Sequence, residues 1–135
     1  MKDEGRAQRA FTAARVEQAQ VVEKQKDYGP ALCLLGLIDA ALGDKQAALE
    51  EGRHAMELLP VGKDAVNGQM IASYYSVIAA WADDRELALQ QLEATAFTPG
   101  GSLIASYGVL KLLPFWDPLR GDPRFERIVA ELAPK

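Results

Sequence analysis

The chain has 135 residues, 49% of them hydrophobic and 25% charged, a balance that suits one compact domain and excludes an intrinsically disordered chain. A net charge of −4 and a pI of about 5.0 argue against a general binder of nucleic acid or anionic membrane. Ala (22) and Leu (17) far outnumber Val, Ile and Thr (16 in all), and that excess of helix formers over β-branched residues predicts an all-α fold.

From Arg6 to about Lys26, Ala7, Ala10, Phe11, Ala14, Val21 and Val22 recur at helical spacing among charges, which places one narrow apolar stripe on a long helix. Asp27-Tyr28-Gly29-Pro30 breaks it, because proline disfavours helical geometry before it and suits the first turn of the next helix. That second helix, about Pro30 to Leu42, is apolar nearly all round with Asp39 its only charge, so neighbours must cover it on several sides. Gly36 in its middle costs about 1 kcal/mol relative to Ala and implies a close helix–helix approach. Gly43-Asp44 ends the helix, with Gly supplying the left-handed residue after its C-terminus.

The third helix, about Lys45 to Leu59, turns Ala48, Leu49, Gly52, Ala55, Met56 and Leu59 inward, and Pro60 closes it. Val61 to Gly68 is a longer connection punctuated by Gly and Asn, part of which can extend a helix. A fourth helix over Gln69–Ala82 carries Tyr74, Tyr75 and Trp81, and a fifth over Arg85–Ala96 follows the Asp83-Asp84 turn. After Thr98-Pro99-Gly100-Gly101, Ser102 can cap a sixth helix running to about Leu113. Pro114, Pro118 and Pro123 predict an irregular stretch before a last helix that starts at Asp122-Pro123 and ends near Leu132.

These elements recur as pairs, an all-round apolar helix followed by an amphipathic one. Residues 29–62 resemble one tetratricopeptide repeat: Leu35-Gly36, the Gly43 turn, Ala48, Ala55 and Pro60 fall at that family's offsets in its 34-residue helix–turn–helix unit. Asp39 and Gly52 depart from it, standing where the family has large residues. Forty residues further on, Ala88 and Leu92 repeat the second-helix pattern, while Tyr75-Ser76 replaces Leu-Gly and Thr95 replaces Ala. Ala7, Phe11 and Ala14 fit the second helix of a preceding repeat without its first helix, Tyr107-Gly108 resembles another Leu-Gly pair, and Phe115 to Phe125 is similar to the closing segment of tetratricopeptide arrays in bacterial multidomain signalling proteins.

The resemblance implies an α-hairpin superhelix of about seven helices in a single domain: a half-repeat over 1–28, a repeat over 29–62, a divergent repeat over 66–100 and a C-terminal pair or cap over 101–135. Stacked pairs of this kind bury faces that none can bury alone. The uncovered face of the opening helix is left to its own extra length, to a second copy of the chain, or to a domain preceding it, unless the helix simply packs as a terminal cap. The family's groove offsets fall on Cys33, Leu37 and Ala40, then on Ser73, Val77 and Ala80. They are small or apolar and lack the Lys and Asn with which some members clamp a C-terminal carboxylate. An apolar protein or peptide partner is therefore the expectation, with a groove filled by the chain's own N-terminal helix or tail as its alternative.

Catalytic chemistry is not expected. His54 is the only histidine, among Glu50, Glu51, Arg53 and Glu57, and it reads as a solvated surface residue because a zinc site normally needs three or four ligands. Nothing places Ser73, Ser76 or Ser102 beside a base; turn and cap roles account for Asp83, Asp84, Asp117 and Asp122; and Gly100-Gly101 lacks a phosphate-loop context. Cys33 stands alone among apolar neighbours, as a buried thiol would. No cofactor and no metal are implied. The charged stretch Met1–Gln20 lacks the apolar core of a signal peptide, and Ala31–Ile38 is far shorter than the ~20 residues that span a bilayer. A cytoplasmic protein-binding module, with self-association through the opening helix as the other possibility, is the expectation.

Overall fold

A computed structural model describes residues 2–25, 27–59, 65–96, 107–112 and 114–133. They form α1 (Lys2–Lys24), α2 (Gly29–Ala41), α3 (Lys45–Leu58), α4 (Ala65–Trp81), α5 (Arg85–Ala96), α6 (Tyr107–Leu112), a 3-10 segment (Pro114–Leu119) and α7 (Pro123–Leu132). There is no strand among the described residues. The fold is an all-α stack of helical hairpins: α2 pairs with α3, α4 pairs with α5, and α4 packs against both helices of the first hairpin while α1 lies on α2. Helix α1 starts at Lys2, one turn before Arg6, and ends at Lys24. Helix α4 starts one turn before Gln69, using part of the connection, and the tail between α6 and α7 winds into the 3-10 segment instead of remaining irregular. The expected Ser102 cap lies outside the described residues.

The two hairpins share one turn geometry at an offset of 40 residues. After α2 the Asp44 amide donates to the Asp39 carbonyl (2.9 Å) and the Gly43 amide to Ala40 (3.1 Å); after α4 Asp84 donates to Ala79 (2.9 Å) and Asp83 to Ala80 (3.2 Å). These paired bonds satisfy carbonyls that the helix end would leave free, and they need a left-handed residue between them. Gly43 (φ 89°) and Asp83 (φ 63°) provide it. The next residue then caps the following helix: Asp44 Oδ1 accepts from the Ala47 amide (3.3 Å) and Asp84 Oδ1 from the Leu87 amide (3.2 Å).

Where the repeat pattern departs from itself, the packing compensates. A Cβ on Gly36 would stand 3.2 Å from the Ala48 carbonyl oxygen, which is the close approach expected of that glycine. At the matching place in the second hairpin, Ser76 Oγ donates to the Ala88 carbonyl (2.7 Å, buried), so a hydrogen bond occupies the contact that bare backbone makes in the first. Tyr75, standing where the first hairpin has Leu35, lays its ring over Gly52, whose missing side chain makes the room.

Among the described residues the core has two parts. One gathers Leu32, Ala48, Ala55, Ile71 and Ile78 between the hairpins. The other gathers Leu92, Leu110, Trp116, Leu119, Phe125 and Ile128, so that the tail closes the far end of the stack. Trp116 and Phe125 are fully buried with ring centroids 6.3 Å apart. Outer ties fasten the cap: Arg124 Nη1 donates to both Glu86 carboxylate oxygens (2.5 and 2.7 Å), and Arg120 Nη1 donates to the Leu110 carbonyl at the end of α6 (2.8 Å).

Candidate functional site

Helices α2 and α4 are the first helices of successive hairpins and lie side by side. Pro30, Cys33, Leu34 and Leu37 recur every three or four residues along α2 and so share one of its faces. Met70, Ile71 and Tyr74 of α4 meet them around a cavity of about 190 Å³. Among the described residues no charged side chain lines it. Leu34 is 47% exposed and stands where the cavity meets solvent. Burial pushes the Cys33 thiol up to about 12, so it remains protonated and serves as an apolar wall rather than a nucleophile.

The six residues expected along a groove separate into two groups. Cys33 and Leu37 line the cavity. Ala40, Ser73, Val77 and Ala80 are each at least 96% buried, as Cys33 is, and they lie outside the lining of the cavity. Val77 and Ala80 belong to the same buried cluster as Trp116 and Leu119, and the 3-10 segment packs on α4. The tail thus covers Val77 and Ala80, while Leu34 beside Cys33 is exposed. Pro30, Leu34, Met70, Ile71 and Tyr74 are the lining residues that family offsets missed. The three-and-four spacing of Pro30, Cys33, Leu34 and Leu37 was the signal that could have found the α2 half.

The arrangement is suited to holding apolar matter. His54 is exposed on α3, and among the described residues no group of three or more His, Cys, Asp or Glu could hold a metal ion. No helix among them is long and apolar enough to cross a membrane. A part-buried ion pair sits on α2 outside the cavity lining: Arg15 Nε donates to Asp39 Oδ1 at 2.5 Å, and the Asp39 side chain is 1% exposed. No family model matches the chain, nor does any curated protein or solved structure.

Proposed function

We propose that this chain is a tetratricopeptide-type interaction module that binds a partner protein by taking an apolar side chain of a peptide segment between α2 and α4. The cavity carries this reading: its described lining is uncharged, it opens at Leu34, and it lies between first helices of stacked hairpins. Apolar cavities of about 150 Å³ already admit a benzene ring, so a volume of about 190 Å³ suits a leucine, methionine or phenylalanine side chain. The tail resemblance supports a place in bacterial cytoplasmic signalling, in a regulatory rather than catalytic role.

Selection from a displayed peptide library tests it. Peptides enriched on the wild-type chain carry a common apolar anchor and lose at least tenfold in affinity for Leu34→Glu, which sets a carboxylate at the mouth of an apolar site. Leu34 is exposed enough for the variant to fold. Selected peptides that bind both chains equally would place the interface elsewhere. A second reading, self-association through α1, is favoured by Val16, 56% exposed in a shallow depression with Gly5, Gln8, Arg9, Thr12 and Ala13. Sedimentation over a hundredfold concentration range decides it: a dimer that Val16→Glu dissociates supports it, and a monomer throughout ends it.

A further inference from the structure

Helix α1 is held by little. None of its residues from Gly5 to Lys24 is buried, and Phe11, Ala14, Ala19 and Val22 are only partly covered. Among the described residues its polar ties to α2 include the Arg15–Asp39 ion pair and a bond from Gln18 Nε2 to the Ala31 carbonyl (2.9 Å). A contact this thin sits at the low end of local stability, where one ion pair can decide the population. Behind Arg15, Asp39 of α2 and Glu51 of α3 stand together. Asp39 Oδ2 and Glu51 Oε1 are both buried without a conventional donor, a juxtaposition that two ionised carboxylates would not tolerate. Arg15 and Asp44 are the other charges that act on Glu51. Helix α4, which packs on both α2 and α3, carries no charged residue, and the charges felt by its Tyr75 are Arg53, Asp84 and Glu57.

We propose that α1 is a detachable helix whose docking on α2 is linked to the proton on Glu51: docking tightens as that proton leaves and loosens as it returns. Docking sets the Arg15 cation against two acids that repel one another, so the docked state holds the proton less firmly than the undocked state does. Linkage is reciprocal, and proton loss must then favour docking. Burial, followed by the neighbouring Asp39, pushes the Glu51 carboxyl up to about 8, which sets the pH around which the change falls. Overall stability has the opposite sign. The folded chain keeps on Glu51 a proton that the unfolded chain gives up near pH 4.5, so unfolding becomes easier as pH rises toward 8. General loosening of the fold would accordingly carry α1 the other way.

Fluorine NMR of the full chain labelled with 4-fluorophenylalanine, with the Phe11 resonance assigned by Phe11→Leu, reads docked and free α1 directly. Between pH 6.5 and 9.5 the ratio of free to docked helix is expected to fall about tenfold, the equivalent of one pKa unit between the two states. Glu51→Gln, which mimics the protonated acid, holds the ratio at its low-pH value throughout. Arg15→Gln raises the free population and removes its pH dependence. A wild-type ratio that is constant with pH, or that rises with it, overturns the proposal, as does a Glu51→Gln chain that keeps the full response.

Discussion

The contact between Gly52 and Tyr75 makes a sharp prediction, because two departures from the repeat pattern meet there. A Cβ at position 52 would lie 2.6 Å from Tyr75 Cδ1, 3.1 Å from its Cε1 and 3.3 Å from Ile78 Cδ1, well inside the 3.5–4.0 Å of ordinary carbon contact. Tyr75 is 7% exposed and Ile78 fully buried, so neither side chain can swing into solvent to make way. Overpacking of this kind costs about 1–3 kcal/mol, while replacing a mid-helix Gly by Ala returns roughly 1 kcal/mol of helix propensity. Gly52→Ala should therefore destabilise the chain by about 1 kcal/mol, against the usual sense of a Gly-to-Ala change in a helix. With Tyr75→Leu the ring is gone, and the same substitution should become neutral or stabilising by up to roughly 1 kcal/mol. Urea denaturation of the four chains in a double-mutant cycle gives the coupling energy, expected at about 1–2 kcal/mol. If Gly52→Ala has the same effect in both backgrounds to within about 0.5 kcal/mol, the claim that Tyr75 occupies the missing side chain of Gly52 is wrong.

Thermal unfolding followed from pH 5 to pH 9 should show stability declining up to about pH 8, the value to which Glu51 is raised, and Glu51→Gln should flatten that decline. Trp116→Ala empties a fully buried site in the C-terminal cap and should cost about 3–5 kcal/mol by urea denaturation; a loss below about 1 kcal/mol would mean that the cap does not fold with the hairpins. Ser76→Ala removes the buried bond to the Ala88 carbonyl and should cost about 1 kcal/mol in the same assay. Gly43→Ala puts a side chain on a residue at φ 89° and should cost roughly 1–2 kcal/mol, detectable as a lowered Tm.

The local punctuation of this fold was legible without coordinates. Gly43-Asp44 and Asp122-Pro123 mark helix ends through groups within one turn of themselves, and the structure puts the helix ends there. The close approach at Gly36 was also readable, because a glycine inside an otherwise strong helix needs a packing reason. The 40-residue correspondence between hairpins followed from Ala48 and Ala88, both fully buried. Half of the cavity, the α2 face, was implicit in a spacing that periodicity reports.

Tertiary structure decided the remainder, since it depends on which residues distant in the chain come together. Asp39 looked like a lone charge on an apolar helix until α1 brought Arg15 to it from 24 residues away and α3 brought Glu51. Gly52 and Tyr75 each read as a defect in the repeat, and only the stacking of α3 on α4 shows one filling the space of the other. Val77 and Ala80 have the composition of a binding groove, but whether such a face stays open depends on where Trp116 and Leu119 fold back. Periodicity specifies which face of a helix avoids water; it does not say which neighbour covers that face, because burial in the core and burial by a partner remove the same apolar surface from solvent.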